Sequence, residues 1–296
     1  LLHSRWQGLQ ILRSRLGDQN IGYEPVGGYE VFRNSDNESF HRGMEKIHYL
    51  NELVSDAIND KHCFSSLDQT IGNDSLKAVK GIIYNRLEGL IDTGMMLVGL
   101  MQKAKNLSIN LLYGMPIEEL IYQDNDDKIF LKSGLGWILP VTKLVVATNG
   151  FAQQLLPQLE VEAVRNQVLV TTPIPDLSLK GGFHLDKGYV YFRNIGNRIL
   201  IGGGRNIDAQ GETTPHFGTT PIILNYLKGL VKELFDLDAP YRFDYSWSGI
   251  LGVGDSKSPI VKRLNQNLVV GVRLGGMGVA LGSKIGIDLA DLILDS

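Results

Sequence analysis

Hydrophobic residues recur at helical spacing in five stretches of the chain. They predict helices at residues 1–16, 39–57, 91–104, 221–235 and 279–294. Gly17 follows the first stretch as a C-cap, and Asp92 or Thr93 caps the start of the third. In the fourth helix, the periodicity places four residues on the buried side, namely Ile223, Leu227, Leu230 and Leu234.

Short runs of apolar and β-branched residues between these helices predict strands. The predicted strands are residues 23–32, 81–84, 109–113, 117–123, 128–132, 137–140, 143–150, 164–172, 189–193, 198–202 and 267–272, with a turn at 124–127. The helix at 91–104 and the strand at 109–113 predict one half of a βαβ crossover. Residues 89–150 and 247–296 have a parallel α/β texture, whereas residues 1–88 and 151–246 are typical of a mixed α+β sheet. The chain is therefore predicted to form two interleaved domains.

A glycine-rich turn at Gly275, Gly276 and Gly278 separates the last strand from the last helix. Free backbone N–H groups at such a helix start favour a dipole or an anion. The alternative is a tight turn that serves only helix–strand packing. A dinucleotide fingerprint is excluded, because it needs a second strand with an acidic residue about twenty residues on, and this sequence ends at Ser296. Gly282 and Gly286 continue the spacing of four, which predicts that another group approaches this helical face closely.

Composition narrows the class of protein. The chain has 296 residues and a net charge of −3, which gives no electrostatic reason to expect nucleic acid or an anionic membrane as a partner. No apolar run is long enough for a membrane span. The single cysteine, Cys63, excludes an intramolecular disulfide and favours a cytoplasmic location. The sequence starts at Leu1 without a methionine, from which we expect that an N-terminal piece is missing.

Side-chain chemistry is sparse. None of the six histidines pairs with cysteine, histidine or carboxylate at metal spacing, so no metal site is predicted. The segment Ser246-Trp-Ser248-Gly lacks the first glycine of a nucleophile elbow, and no P-loop lysine follows the glycines. Where nucleophiles and metals are missing but glycine turns are present, a cofactor is expected to carry the chemistry.

Three blocks in a fixed order resemble the FAD-dependent oxidoreductases of the D-amino-acid oxidase and glycine/sarcosine oxidase type. They are Leu144-Val-Val-Ala-Thr-Asn-Gly150, then Tyr189-Val-Tyr-Phe-Arg193 with Arg198-Ile-Leu-Ile-Gly-Gly-Gly-Arg205, then Trp247-Ser-Gly-Ile250 leading to Gly275-Gly-Met-Gly-Val-Ala-Leu-Gly282. The resemblance implies an FAD-binding Rossmann-like domain, incomplete at its N-terminus, interleaved with a mixed-sheet substrate domain. It also implies oxidation of a C–N bond in an amine or amino acid by hydride transfer to flavin.

The resemblance assigns the cofactor contacts. The turn after the strand at 143–150 lies near the FAD adenosine and pyrophosphate in this family, and the closing glycine turn lies at the pyrimidine end of the flavin. The implied FAD contacts are Thr148, Asn149, Gly150, Gly249, Gly275, Gly276, Met277, Gly278, Val279 and Ala280. Amides and a positive helix end at this place would stabilise an anionic reduced flavin.

The chain departs from the family pattern at four places. The N-terminal Gly-x-Gly-x-x-Gly segment is missing, Leu251 replaces a carboxylate-binding arginine, Leu200 matches the oxygen-reactive lysine, and Cys63 matches no flavin-attachment position, which implies non-covalent FAD. The candidates for the catalytic face are Tyr191, Arg193, Arg205, Trp247 and Arg273. Arg193 or Arg205 is predicted to replace the carboxylate anchor, since a guanidinium fork matches a carboxylate. A solvated face for Tyr191 and Arg193, and a structural ion pair for Arg273, are the alternatives.

Two hypotheses of function follow. The first is an FAD-dependent oxidoreductase acting on a small amine or amino acid. The second is a non-catalytic remnant of the fold that serves as a binding or interaction module. A nicotinamide-dependent dehydrogenase is disfavoured, because nothing follows the last predicted helix. Neither the substrate nor the oligomeric state is set by the sequence.

Overall fold

A computed structural model describes residues 1–67, 76–122, 128–237 and 240–295. The α-helices in these ranges are α1 (Leu2–Leu16), α2 (Asn37–Ile58), α3 (Thr93–Asn106), α4 (Ala152–Leu155), α5 (Pro221–Leu234) and α6 (Gly278–Leu294). The strands are β1 (Gly28–Arg33), β2 (Phe64–Leu67), β3 (Val79–Asn85), β4 (Ile117–Ile121), β5 (Ile129–Ser133), β6 (Ile138–Val141), β7 (Leu144–Val146), β8 (Glu162–Thr171), β9 (Gly182–Leu185), β10 (Val190–Ile195), β11 (Arg198–Gly203), β12 (Phe243–Val253), β13 (Ile260–Asn265) and β14 (Leu268–Val272). The five helices predicted from hydrophobic spacing are confirmed.

The largest sheet combines strands from distant parts of the chain. Its order is β12-β8-β11-β10-β9-β1-β3-β2. Only the β1–β9 pair in this sheet is parallel, among the described strands. This mixed sheet confirms the predicted fold class.

Helix α5 covers one face of the large sheet. Its residues Ile223, Leu227, Leu230 and Leu234 are each at most 2% exposed, as the periodicity predicted. They pack in one cluster with Leu169, Phe183, Phe192 and Ile201 of the sheet. On the opposite face, α2 covers the β1-β3-β2 end, where Phe40 lies against Gly81, and the β8-β11-β10-β9 part lines a cavity.

A second, smaller sheet has the order β13-β14-β7, with β14 and β7 parallel. Helix α6 packs on one side of β14 through Leu281, Ile285 and Leu289, which contact Val269. The opposite side of β14 packs in a cluster with Ile129 of the meander β4-β5-β6. Strand β14 ends at Val272 and α6 begins at Gly278, so the short turn between them places the N-terminus of α6 at the end of β14.

Close packing involves α1 rather than the glycines of α6. A Cβ added to Gly8 would lie 2.1 Å from the backbone oxygen of Ala280, so α1 and α6 touch through their backbones. At Gly282 and Gly286, by contrast, an added Cβ meets no described atom within 4 Å. The expectation that the glycine spacing in α6 marks a close approach is therefore wrong for the atoms of this chain.

One predicted strand is absent. Residues 109–113 have no regular secondary structure and no strand partner among the described residues, and Ile109, Leu112 and Tyr113 are more than half exposed. The prediction of a strand there is wrong, because an apolar run forms a strand only where a neighbour accepts its backbone hydrogen bonds. The predicted turn at 124–127 lies outside the described residues. The sequence patterns also missed β2, β9, β12 and β13.

The predicted domain limits stay predictions. Strand β12 runs through position 246, where one limit was placed, and α1 packs against α6 of the closing segment. Within the described ranges, no helix is both long and apolar enough to cross a bilayer.

Candidate active site

Strand register lines up one row of side chains across the face that α5 leaves free. Successive cross-strand partners in this row are Trp247, Val168, Gly202, Tyr191, His184 and Glu30. Their neighbours along each strand, such as Leu169 and Phe192, point into the α5 cluster. Because side chains alternate across a strand, the row faces the other way, toward the N-terminus of α6.

A cleft of two adjoining cavities separates this face from α6. The first cavity, of about 520 Å³, is lined mainly by the sheet, including Tyr191 and Arg193. The second, of about 370 Å³, is lined by α1, α2 and the start of α6. Both cavities are lined by His184 and Gly276, so they adjoin at these two residues, and together they are called the cleft.

The start of α6 opens into this cleft. Gly276, Met277, Val279 and Ala280 line it, and Met277 at the N-cap supplies no side-chain hydrogen bond. Among the described residues, no acceptor pairs with the backbone N–H groups of Gly276, Val279 or Ala280. A Cβ added to Gly275 or Gly276 would meet open space. The helix end therefore presents free donors and a partial positive charge to an electron-rich group in the cleft.

The predicted adenosine-side contacts lie next to this turn. Asn149 adopts a positive φ of 47°, and its Oδ1 accepts a hydrogen bond of 3.1 Å from the N–H of Leu274. Gly150 is buried, and a Cβ there would lie 2.7 Å from the oxygen of Leu251. Thr148 is exposed. Asn149 and Gly150 thus fix the turn in front of α6, and a direct FAD contact by these three residues stays a prediction.

Tyr191 and Arg193 both line the first cavity. Burial raises the pKa of Tyr191, so its hydroxyl is protonated at neutral pH. Gly202 makes room for this ring, since a Cβ there would lie 2.6 Å from the Tyr191 hydroxyl oxygen. The guanidinium of Arg193 donates to the carbonyls of Ile91, at 2.9 Å, and Asn194, at 3.1 Å. The structure thus places both side chains in the cleft.

Arg205 joins them from the end of β11. Gly203 and Gly204 both have positive φ, and the turn they make brings the guanidinium of Arg205 to 5.1 Å from the ring centroid of Tyr189. Arg205 and Tyr189 both line the first cavity.

The other predicted residues lie outside the two cavities. Arg273 donates to the carbonyls of Ser258 and Glu160, with the Glu160 carboxylate 3.9 Å away, which matches the structural alternative. Trp247 is 45% exposed on the edge strand β12, in the same row as Tyr191. Gly249 has open space at its Cα. Catalytic or cofactor roles for these three residues stay predictions.

Four polar residues of the first cavity were missed by the sequence analysis, namely Asn166, His184, Lys187 and Lys257. His184 lies in β9, a strand that was not predicted, and it is shared by both cavities. Asn166 lies in β8, and its Oδ1 is buried without a partner among the described residues. Gln167 beside it faces the other way and bonds to Glu212 and Thr220. Asn166 and Gln167 are consecutive in β8 and face opposite sides of the sheet. Only the strand register, which determines the side that each residue faces, could have identified Asn166 as a cavity residue.

Glu30 is the last residue of the row, and the burial of its carboxyl can be tested. Desolvation, with a smaller contribution from Glu88 and Asp186, raises the pKa of Glu30 from 4.5 to about 7. A raised carboxyl pKa means that the folded state favours the protonated form of Glu30. The free energy of unfolding is therefore at its full value below pH 4.5 and decreases as pH rises through about 7. We expect Glu30→Gln to be more stable than the parent at pH 8 by roughly 1–3 kcal/mol, and equal to it at pH 4.

Urea unfolding at both pH values measures the effect of Glu30→Gln. Glu45→Gln, on the exposed side of α2, is the matched control and should leave the pH dependence unchanged. Equal stability of the Glu30→Gln variant and the parent at both pH values would contradict burial of this carboxyl.

Comparison with known proteins was made on both sequence and structure. The sequence profile described as FAD dependent oxidoreductase, DAO, matches residues 3–292. No curated protein sequence matches at a significant level. The fold is similar to glycine oxidase from Bacillus cereus (TM-score 0.77, 17% identity, 99% of this chain and 80% of that chain). It is also similar to L-proline dehydrogenase from P. horikoshii (0.76, 15%, 99% and 78%) and to iminodiacetate oxidase from Chelativorans sp. (0.77, 17%, 99% and 79%).

Proposed function

Because this chain belongs to the DAO family of FAD-dependent oxidoreductases, we propose that it oxidises the C–N bond of a small amine or amino acid with non-covalently bound FAD. One observation carries the proposal. The uncapped N-terminus of α6 opens into a cleft whose opposite wall carries Tyr191 and Arg193. The names of the similar structures support it, since they describe proteins that act on proline, glycine and iminodiacetate.

The residues of the cleft fit the pyrimidine edge of a flavin. Its carbonyl oxygens and ring nitrogens are acceptors, and the free N–H groups of Gly276, Val279 and Ala280 are donors. The glycine turn leaves the space that a flat ring needs, because a Cβ at Gly276 would meet nothing within 4 Å. The partial charge at the helix end favours negative charge at this edge.

The only cysteine is unsuited to attach the cofactor covalently. Cys63 lines the second cavity, but burial, together with the charge of Asp60, raises the pKa of its thiol to about 11. The thiol also donates to Oδ1 of Asn85. A protonated thiol is a poor nucleophile, which supports non-covalent FAD.

When bound, FAD supplies a hydride acceptor for the substrate carbon next to nitrogen. The role of the chain is to orient that carbon. Arg193 binds a carboxylate of the substrate, and the Tyr191 hydroxyl donates a hydrogen bond to the same end of it. The large sheet closes one side of the cleft and excludes water, which strengthens these charge interactions.

A substitution at the helix start tests the cofactor site. Met277→Asp places a carboxylate at the N-cap of α6, where it stabilises the helix but repels an anionic edge. We expect thermal stability without FAD to be unchanged or higher, and FAD affinity to fall roughly ten-fold. Quenching of flavin fluorescence on titration measures the affinity.

Met277→Asn is the matched control, because it caps the helix without a charge. It should weaken FAD binding less than Met277→Asp does. If both variants bind FAD as the parent does, α6 does not contact the flavin. If the protein expressed with the coding sequence upstream of Leu1 restored takes up no FAD, the oxidoreductase proposal is contradicted and the non-catalytic binding module is supported. With FAD bound, anaerobic bleaching of the flavin by amines and amino acids tests the oxidation.

A further inference from the structure

The first cavity is lined by cations without matching acids. Four of its lining residues are Lys187, Arg193, Arg205 and Lys257, and no aspartate or glutamate lines it. The whole chain has a net charge of −3, so this concentration of positive charge is local. A cavity of one sign attracts ligands of the other sign and holds them most strongly where the cations are shielded from water. One carboxylate would leave most of this charge unmatched.

Arg193 is half-buried in the wall of this cavity. Its hydrogen bonds go to two neutral carbonyls, and it forms no ion pair with a described residue. Desolvation lowers the pKa of Arg193, although the charges of Glu24 and Asp92 act against the change. A guanidinium that is partly removed from water and lacks a counterion gains from a bound anion.

Arg205 is held in a way that leaves its hydrogen-bonding edge available. Its guanidinium lies over the ring of Tyr189, and among the described residues it has no ion pair. Stacking uses the face of the guanidinium, whereas a carboxylate binds its N–H edge. Tyr191 and Arg193 lie on the same side of β10, and Tyr189 immediately precedes this strand. Arg205, over the ring of Tyr189, and Arg193 therefore lie on either side of Tyr191.

A third group in the same cavity matches the nitrogen of a substrate. Asn166 lines the cavity, and its Oδ1 is buried without a hydrogen-bond partner. A buried acceptor without a donor is costly, and an amine N–H in the cavity would satisfy it. Asn166 lies beside Gln167, which pairs with Gly203, so this acceptor is near the end of the cavity that Arg205 occupies.

We propose that the substrate is an amino diacid, with one carboxylate bound by Arg193, the other by Arg205, and the nitrogen bound by Asn166. The proposal rests on the function proposed above, since it names the substrate class of the same cleft. It differs from a simple amino-acid site because it requires two carboxylates, one on each side of Tyr191.

Calorimetry on the chain without added FAD separates the three contacts. The probes are butyrate, glutarate and both enantiomers of glutamate, which differ by one carboxylate and then by one amine. We expect glutarate to bind about ten-fold more tightly than butyrate. One enantiomer of glutamate should bind more tightly still. Raising the salt concentration should reduce the difference between glutarate and butyrate.

Variants assign each contact. Arg205→Met should remove the preference for glutarate over butyrate, and Arg193→Met should weaken both acids. Arg193→Lys serves if the methionine variant does not fold, and it should retain part of the affinity, because it keeps the charge without the fork. Asn166→Leu should leave glutarate unchanged and weaken glutamate to the level of glutarate. Arg242→Met, an exposed arginine outside the cavity, is the control and should change nothing.

Equal affinity for butyrate and glutarate, or an equal effect of Arg242→Met and Arg205→Met, would overturn the diacid proposal. These results do not depend on the cofactor, so the two proposals fail separately. Selective glutarate binding by a protein that takes up no FAD even with its upstream coding sequence restored would overturn the oxidoreductase function alone. FAD uptake without diacid selectivity would overturn the diacid substrate alone.

Discussion

Replacing Gly8 with valine is expected to destabilise the protein by about 3 kcal/mol or more, because the added atoms would overlap the backbone of α6. Gly8 is buried in α1, and even a single added Cβ would lie 2.1 Å from the oxygen and 3.1 Å from the carbonyl carbon of Ala280. Backbone atoms cannot rotate away as a side chain does, so one helix must move. Gly8→Ala should show a smaller loss in the same direction. Denaturant unfolding measures both.

Gly282→Ala in α6 is the matched control for Gly8. An added Cβ there meets no described atom within 4 Å, and the position lies inside a helix. Alanine is the better helix former, so this variant should gain about 0.5–1 kcal/mol. A stability of Gly8→Ala equal to that of the parent would show that α1 and α6 are not in backbone contact.

Truncating Glu212 to alanine is expected to cost about 3–5 kcal/mol, since it leaves a shielded guanidinium without its counterion. The side chain of Glu212 is 1% exposed and that of Arg165 11%. Arg165 binds both carboxylate oxygens, at 2.9 and 3.0 Å, and Gln167 and Thr220 bind one of them as well. This cluster ties the segment before α5 to β8. Loss of stability within the range of surface substitutions would show that the pair is open to water.

The same cluster predicts acid sensitivity. Burial alone would raise the pKa of Glu212, but the hydrogen bonds from Arg165 and Gln167 and the charge of Arg165 outweigh it, so the pKa lies below its ordinary value. A lowered carboxyl pKa contributes stability that is complete above the unfolded value of about 4.3 and is lost as pH falls through the folded value. Glu212→Gln, which keeps the shape, should therefore lose less stability than the parent between about pH 5 and pH 3.

Local patterns in the sequence predicted most of the helices, including α6 after the glycine turn. The spacing of Ile223, Leu227 and Leu230 identified the buried side of α5, because one amphipathic helix on one sheet needs no other information. The prediction of a strand at 109–113 was wrong because a strand, unlike an amphipathic helix, depends on a partner elsewhere in the chain. A strand is defined by its neighbour, and no described strand pairs with this segment.

The site was predictable only where one strand contained it. Alternation along β10 places Tyr191 and Arg193 on the same side, and both line the first cavity. His184 and Asn166 come from other strands, and their place depends on the register of an eight-stranded sheet, which one sequence does not specify. The surroundings of Arg273 were equally unpredictable, because its carbonyl partners come from distant loops.

His184 and Gly276 line both cavities, so a ligand in one cavity and a ligand in the other would have the same imidazole and the same peptide as neighbours. Linkage makes any influence of one ligand on the other mutual, so a substrate that tightens FAD binding is itself bound more tightly by the flavin-loaded protein, and by the same factor. Coupling between the two cavities would therefore show as a dissociation constant for either ligand that changes with the occupancy of the other cavity.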